Sequence, residues 1–361
     1  RPTFTATAVV PTSTPTPAST ATPSPVPPTP TPTPNPNLNP LTGLAVTNTA
    51  FLQQRPLEVV VNNSPVARPQ YGLSKADVVF EYVMDGWSVT RFTAIYLGQE
   101  AERIGPVRSA RLINLHLAPM FDAALVASGA SVDLRWLLKN KGGFPYLDID
   151  LDDGSNTAYS TSIGTYYETR LQTSTASLRR WLQKENLDRP ATTKPFIFST
   201  QVTTSTATSP ARAVHIPYPQ SSTVDWTYDS ASNLYLRAVQ SEPHLDAGSG
   251  AQITAANLVV FFAPHGSTSI VEDTLGNTAI EIGLTGPGKC LVLRDGVVAQ
   301  GTWKWDAPLE AATIATGDTV IVPKSAGTPV QLLAADGSPI MLKPGVTWLQ
   351  VVPIDYKVEV K

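Results

Sequence analysis

The chain has 361 residues, of which 42% are hydrophobic and only 15% are charged, and its formal net charge is -3 at pH 7. A chain of this length can bury the cores of two domains of ordinary size. The charge balance and the lack of a Lys/Arg run exclude an electrostatic footprint for nucleic acid and a basic patch for an anionic membrane. No apolar run is long enough for a transmembrane segment, and we expect none.

The first feature in chain order is a Thr/Pro-rich tail, residues 1–38, in which Arg1 is the only charge. Proline fixes φ and lacks a backbone donor, so the segment 22–37 (TPSPVPPTPTPTPNPN) predicts an extended polyproline II conformation. Such a tail has too little apolar surface to hold itself in place, so an ordered tail requires a groove on another molecule, such as a neighbouring subunit. The prolines expected to dock there are Pro23, Pro25, Pro27, Pro30 and Pro32.

The composition of the tail is also typical of an O-glycosylated stalk. Such stalks belong outside the cytoplasm, where sugars keep them soluble and extended, so we predict an exported protein, extracellular or at the cell surface. A plain spacer is the alternative. The candidate glycosylation sites are Thr14, Thr16, Thr22, Thr29, Thr31 and Thr33.

Residues 39–199 predict a mixed α/β domain. Apolar runs bounded by turn residues predict strands, and apolar positions at helical spacing predict helices. The predicted strands are Arg55–Asn62, Ala76–Met84, Ser88–Leu97 and Ala124–Ser128, and the predicted helices are Pro106–Ala124 (interrupted at Pro119), Ser131–Asn140 and Thr175–Asn186. Asp85-Gly86-Trp87 is a hairpin signal between the second and third strands.

A Ser/Thr/Pro-rich connection, residues 200–219, precedes a second domain at residues 220–361. Short apolar runs with Gly, Asp or Asn between them predict a mainly antiparallel β domain, a sandwich or partial barrel. The predicted strands are Val224–Tyr228, Leu234–Val239, Leu258–Phe262, Ala279–Ile282, Lys289–Leu293, Val297–Trp305, Thr319–Val322 and Val346–Val352. The whole chain is therefore predicted to be an α+β protein with an extended tail.

The last segment, YKVEVK (residues 356–361), alternates apolar and charged residues and predicts an edge strand. This strand either closes the sheet of its own chain or pairs with another subunit by strand addition. In the second case Tyr356, Val358 and Val360 are assembly residues.

Strong catalytic and metal signatures are missing from the sequence. We found no Gly-rich phosphate loop, no Gly-x-Ser-x-Gly elbow and no His-Glu-x-x-His. Cys290 is the only cysteine, which excludes an intrachain disulfide, and its apolar neighbours predict a buried, inert thiol in a strand. The segment PHLD (residues 243–246) offers two metal ligands without a third nearby, so a turn is favoured over a metal site. We expect no cofactor.

The most informative polar residues lie at predicted strand ends and helix starts of the first domain, where free N–H groups point outward. Forked hydrogen bonds from arginines placed there could hold a carboxylate or phosphate. The candidate ligand-binding residues are Asp85, Arg91, Arg108, Ser109, Arg111, Ser128 and Ser131. The alternative is an internal ion-pair network that fixes the hairpin to the following helix.

Several motifs occur in the same order as in a known family. They are NPLTGL (39–44), IGPVRSAR (104–111), GAS (129–131), VDWTYDSASNLYLRA (224–238), ANLVVFF (256–262) and PGVTWLQVVP (344–353), together with most of residues 55–92. Through these motifs, nearly all of the chain after residue 39 resembles the YerB-like family of bacterial envelope lipoproteins. The resemblance implies a two-domain fold, mixed α/β followed by β, outside the membrane. It implies no accepted catalytic mechanism, and an association with cell-wall synthesis for some members.

The sequence departs from the family's pattern in two ways. Family members usually carry a lipid-bearing cysteine at the mature N-terminus, whereas Arg1 opens a Thr/Pro tail here. Members also tend to carry a histidine after the GAS helix, and residues 166–178 contain none. An activity that needs this histidine would be lost, which favours a role without catalysis.

Three functions remain. In the first, the tail of one copy docks on the next and builds a surface filament or lattice, because a head-to-tail contact that does not close generates a fibre. In the second, a wall-associated binding or regulatory protein holds peptidoglycan or a wall-synthesis protein through the arginine residues. In the third, which is the least favoured, Asp85 and Asp133 form an acid–base pair that acts on wall polymers.

Overall fold

A computed structural model describes residues 37–157, 159–160, 169–190, 192–194, 196–202, 208–324 and 327–361. The prolines and threonines singled out in the tail fall outside these residues, so their docking and glycosylation stay predictions. Residues 37–361 form one compact unit. Within the described residues, no helix combines the length and the apolar character needed to span a membrane.

The fold prediction is confirmed: the helices lie in the first half of the chain, and strands dominate the second. The helices are α1 (Asn114–Phe121), α2 (Val132–Asn140) and α3 (Thr175–Lys184). The strands of the first half are β1 (Leu57–Asn62), β2 (Val78–Val83), β3 (Thr90–Tyr96), β4 (Ala124–Ala127), β5 (Tyr146–Asp148), β6 (Tyr159–Ser160) and β7 (Leu171–Gln172). The strands of the second half are β8 (Thr208–Pro210), β9 (Ala213–Ile216), β10 (Val224–Asp229), β11 (Leu234–Val239), β12 (Glu242–Pro243), β13 (Thr254–Ala255), β14 (Asn257–Ala263), β15 (His265–Val271), β16 (Thr278–Ile282), β17 (Gly286–Arg294), β18 (Val297–Trp305), β19 (Leu309–Thr313), β20 (Thr319–Pro323), β21 (Gln331–Leu333), β22 (Thr347–Pro353) and β23 (Glu359–Val360).

One predicted helix begins later than its apolar spacing indicates. Residues 106–113 are not helical, and α1 starts only at Asn114. The N–H of Val107 donates to the carbonyl of Leu171, and the N–H of Arg108 donates to the carbonyl of Val60. Pairing with these two strands uses the backbone donors that a helix would need, so the segment stays extended.

A single eleven-stranded sheet contains strands from both halves of the chain, that is, from both sides of the predicted connection. Its order is β21-β18-β17-β14-β22-β2-β3-β1-β4-β5, with β8 paired to β18. Strand β22 from the second half lies between β14 and β2 and is parallel to both, and all its residues are buried. The two halves therefore share one sheet and one core. Strands β8 and β9 also form within the segment predicted as a connection.

A second, six-stranded sheet packs on the face of the large sheet that carries Trp348 and Glu81. Its order is β12-β11-β10-β9-β23, with β13 paired to β11. The ring of Trp226 on β10 meets that of Trp348 edge-on, with centroids 5.3 Å apart. Helices α1 and α2 cover the opposite face near β1 and β4, together with the hairpins β15–β16 and β19–β20.

Candidate functional site

The candidate site lies at the carboxyl ends of three parallel strands. Strand β1 pairs in parallel with β4, and β4 pairs in parallel with β5, so these strands end at the same edge of the sheet. In open α/β sheets, ligands usually bind in the crevice outside the carboxyl ends of parallel strands. Here the extended segment 106–110 and the loop 128–131 cover that edge.

Four of the predicted site residues are joined by hydrogen bonds. Nη1 of Arg91 on β3 donates to the carbonyl of Ser109 (2.9 Å), and Oγ of Ser109 donates to the carbonyl of Ser128 (3.1 Å). The N–H of Ser128 donates to the carbonyl of Arg108 (3.0 Å). These contacts hold the segment 106–110 to the loop after β4, as expected if the residues form an internal network.

Arg111 is held on the other side of this segment. Its Nη1 donates to the carbonyl of Ala110 (2.8 Å) and lies 3.6 Å from Oε2 of Glu272. Glu272 comes directly after β15, in the second half of the chain, and its side chain is fully buried. Nothing in the sequence around Arg111 indicates this partner. Arg108, Ser109 and Arg111 also precede α1 rather than open it, which corrects their predicted placement at a helix start.

The loop after β4 leads into α2. Gly129 has a φ of +83°, which glycine adopts at no steric cost, and its N–H donates to Oδ1 of Asp148 (3.0 Å). Ser131 occupies the N-cap position of α2, but its side chain makes no capping bond. The Oγ of Ser131 is buried and has no hydrogen-bond partner among the described residues. This hydroxyl is therefore a predicted site group that the internal network leaves unused.

Sequence reasoning missed Asp148, the last residue of β5. Its Oδ1 also accepts from the N–H groups of Asp150 (3.2 Å) and Leu151 (3.3 Å), and Nε of Arg135 lies 3.4 Å from its Oδ2. The Asp148 carboxylate is fully buried beside the start of α2, where the free N–H groups of a helix favour a negative charge. An aspartate at the end of a short apolar run is the only sequence signal that could have indicated it.

The predicted acid–base pair is only partly described. Asp85 opens the tight turn 85–87 between β2 and β3, and its side chain falls outside the described residues. Asp133 lies in the first turn of α2 and is half-buried. The acid–base pair therefore stays a prediction, as does the ligand role of the arginines.

A second polar cluster lies beneath α1, on the face of the sheet that α1 covers. Glu58 on β1 is fully buried, and its Oε1 accepts from Nδ2 of Asn114 (2.9 Å). The same Nδ2 donates to Oγ1 of Thr93, which also bonds the hydroxyl of Tyr82. Burial raises the pKa of Glu58 to about 8, partly offset by the hydrogen bond from Asn114. The carboxyl is therefore neutral at pH 7 in the folded chain.

Stability is expected to fall as pH rises from 6.5 to 8. Folded Glu58 keeps its proton up to about pH 8, whereas the unfolded carboxyl loses it near pH ~4.3, so the folded state binds the extra proton in between. The slope of one such group is about 1.4 kcal/mol per pH unit, or about 2 kcal/mol over this window. Urea unfolding at the two pH values measures it.

Glu58→Gln is expected to remove this slope, because glutamine keeps the acceptor for Asn114 and has no proton to lose. Glu100→Gln, at an exposed carboxyl, is the control. The buried Asp77 (pKa raised to about 6) loses its proton mostly below the window. The lowered pKa values of buried His116 and His244 add a smaller, opposite slope near pH 6.5, where the unfolded imidazoles still hold part of a proton. Glu58→Gln leaves these contributions in place, so the difference between the two chains isolates Glu58. An unchanged slope in Glu58→Gln would show that Glu58 is ionised in the folded chain.

A buried ion pair joins the two sheets. Nη2 of Arg237 on β11 lies 2.7 Å from Oε2 of Glu81 on β2, and both side chains are fully buried. Oγ1 of Thr90 donates to Oε1 of Glu81 (2.7 Å), and Nδ2 of Asn63 donates to the same oxygen (3.2 Å). The guanidinium also stacks over the ring of Trp348 at 5.2 Å. This network links the six-stranded sheet to strands of the first half.

The PHLD segment supports the same network. His244 is bonded to Arg237 and to Oε1 of Gln70, and burial lowers its pKa well below the usual range. Oδ2 of Asp246 accepts from the N–H of Ser74 (2.8 Å). Among the described residues, no group of three His, Cys, Asp or Glu side chains is placed to hold a metal ion. The two side chains therefore act in packing the halves together.

Two further predictions have a clear outcome. Cys290 lies in β17 and is fully buried, and burial raises the pKa of its thiol to about 12, so the thiol is inert as predicted. Strand β23 pairs with β9 of its own chain, through Glu359 with His215 and Val360 with Val214.

The apolar residues of the terminal strand serve the chain's own fold. Tyr356, Val358 and Val360 pack, partly buried, against the main core, and the ring of Tyr356 meets that of Tyr218 at 6.4 Å. Pairing with another subunit by strand addition would therefore use the outer edge of β23.

This α+β architecture, with one sheet shared by both halves, is that of a known family. The chain belongs to the DUF3048 family: residues 41–189 match its N-terminal domain and residues 214–323 match its C-terminal domain, each described as a protein of unknown function. The resemblance to YerB-like proteins is therefore confirmed.

Two comparisons with Bacillus subtilis proteins agree with the family. The chain is 30% identical over 321 residues to a protein of strain 168 named "Putative lipoprotein YerB", covering 87% of this chain and 86% of that protein. It is also similar to the crystal structure of the YerB protein from Bacillus subtilis, with a TM-score of 0.71 and 27% identity. That match covers 89% of this chain and 99% of the other.

Proposed function

We propose that this protein is an extracytoplasmic assembly protein of the bacterial envelope, whose copies join when the tail of one docks on the body of the next. The name of the Bacillus subtilis relative supports a place in the envelope. The Thr/Pro composition of the tail supports a surface location, since charge-poor stalks of this kind are typical there.

The observation that carries the proposal is the anchored base of the tail. Leu41 is fully buried, and Nδ2 of Asn39 donates to Oδ1 of Asp77 (2.8 Å), which is itself buried at the start of β2. The N–H of Phe196 donates to the carbonyl of Pro40 (3.2 Å). Residues 39–41, which directly follow the tail, are therefore held within the compact unit 37–361, and this supports a repeating geometry between successive copies.

The energetics of docking also favour a tail of this composition. A proline-rich segment has little conformational entropy to lose, and a segment without charges loses no ionic hydration when it is buried. If the tail of each copy docks on the next, the contact is heterologous, and it builds a filament or lattice unless the rotation closes.

Sedimentation velocity over a wide concentration range tests the proposal, with residues 1–361 compared to a chain that begins at Asn37. The expected result is a mass that grows with concentration for the full chain and a constant monomer mass without the tail. A full chain that stays monomeric at every concentration would contradict the proposal.

A second function, binding of an anionic wall polymer at the strand ends, is favoured by the unused hydroxyl of Ser131 and by half-buried Arg108. Both lie in the segments that cover the carboxyl ends of β1 and β4. Peptidoglycan pull-down is expected to lose most of its signal in Arg108→Ala and to keep it in Arg180→Ala, an exposed arginine on α3. If both variants are pulled down by peptidoglycan as well as the parent chain, the arginines of the site have a structural role only.

A further inference from the structure

An apolar groove of about 450 Å³ runs between the segment 194–197 and the segment 328–342, which includes the edge strand β21. Its lining is almost wholly uncharged, and Lys194 is the one ionised side chain among the described lining residues. The apolar side chains that define the groove are Phe196, Ile197, Val330, Leu332, Pro339 and Ile340. Ile197 is 53% exposed, so part of this apolar wall faces solvent.

We propose that this groove binds the proline-rich segment 22–36 from the tail of a second copy. The inference rests on the proposed function and names the surface on which the tail docks. Grooves lined by apolar and aromatic side chains recognise proline-rich segments in the polyproline II conformation, whose rings fill the pockets without a large entropy loss.

The charges of the two surfaces match. Residues 22–36 carry no charge, and Lys194 is the one charged residue that lines the groove among the described residues. A basic or acidic peptide would have to give up hydration without a compensating partner in the apolar part of this groove. An uncharged Thr/Pro segment buries proline rings there and keeps its threonine hydroxyls at the rim.

The place where the tail leaves the body also favours this occupant. The N–H of Phe196 bonds the carbonyl of Pro40, and the ring of Phe198 lies against Gly43. The base of the tail is thus held by the same segment that forms one wall of the groove. The 36 residues before Asn37 would span about 110 Å in a fully extended polyproline II conformation, which is enough to reach a neighbouring copy.

Ile197→Glu places a charge on the exposed wall of the groove and leaves the buried core untouched. Leu309→Glu is a matched control, because Leu309 on β19 is also 53% exposed and lies outside the groove. We expect Ile197→Glu to weaken self-association of the full chain at least 10-fold in sedimentation velocity, and Leu309→Glu to leave it unchanged. If self-association requires the tail but is unchanged by Ile197→Glu, the groove is not the docking surface, and the proposed function still stands.

Disulfide trapping identifies the occupant directly. Two full-length variants, Val26→Cys in the tail and Gln331→Cys at the exposed rim of the groove, are mixed under mild oxidation; the native Cys290 is buried. The expected product is a mixed dimer, which should not form when Ala231→Cys, in an exposed turn, replaces Gln331→Cys. Absence of the mixed dimer would overturn the inference, as would cross-linking that stays within one chain in a third variant carrying both Val26→Cys and Gln331→Cys.

Discussion

Glu81→Ala is expected to lower the free energy of unfolding by about 3–5 kcal/mol, because it leaves the guanidinium of Arg237 buried without its partner. The pair is separated by 2.7 Å, and neither side chain is exposed to solvent. The loss should affect both halves of the chain at once, since Glu81 lies on β2 and Arg237 on β11. Equilibrium unfolding in guanidinium chloride measures the effect.

Two controls separate the burial of the pair from its charge. Asp306→Ala removes the exposed pair between Lys304 and Asp306 (2.6 Å) and should cost less than about 1 kcal/mol. Replacing both buried partners, Glu81→Leu with Arg237→Met, should restore much of the loss, because no uncompensated charge then remains in the core. A Glu81→Ala variant as stable as the parent would show that the pair is hydrated rather than buried.

Trp348→Ala is expected to cost about 3–5 kcal/mol, the range for truncating a large aromatic side chain in a packed core. Trp348 on β22 is fully buried between the two sheets, with the rings of Trp226 at 5.3 Å and Phe92 at 5.5 Å. Arg237 covers the same ring, so the cavity left by alanine would open beside a buried charge.

The matched control is Trp136→Ala on α2, where the side chain is 43% exposed and the expected cost is below about 1 kcal/mol. Because β22 joins β14 to β2, tryptophan fluorescence and far-UV circular dichroism should report one coincident transition for the parent chain. Two separate transitions in the parent chain would mean that the halves unfold independently and that the shared sheet does not couple them.

Many strands of the second half were predictable because their signals are local, although others, such as β15 and β19, were not predicted. Runs such as residues 258–263 are wholly apolar, as expected for strands buried on both faces. At the β17–β18 hairpin, Asp295 and Gly296 have φ values of +52° and +73°, the left-handed conformations that an Asp-Gly turn adopts most easily. Hydrophobic periodicity and turn chemistry were sufficient for these elements.

What sequence reasoning could not supply depends on contacts between distant parts of the chain. The sequence near β22 does not indicate its parallel pairing with β2. Parallel strands are not joined by a short turn, so their pairing depends on contacts between distant parts of the chain. The partner of Arg111 had to be learned from the fold for the same reason, since Glu272 belongs to the other half. The late start of α1 follows from backbone pairing of the segment before it, which periodicity does not detect.

The candidate site was located in part. Arg91, Arg108, Ser109 and Ser128 do meet at one edge of the sheet, as their places at strand ends suggested. The sequence left open whether they bind a ligand or one another, and the hydrogen bonds among them are those of an internal network. Asp148 was missed because it ends a strand of only three residues and is followed by Asp150, Asp152 and Asp153, so nothing in the pattern distinguishes it.

Negative-stain micrographs of the full chain at increasing concentration test the central claim most directly, namely that one copy's tail docks on the next. For the full chain we expect rows of particles at a constant spacing. The chain that begins at Asn37 and the full chain with Ile197→Glu should both show single particles. Isolated single bodies at every concentration of the unaltered full chain would contradict the claim.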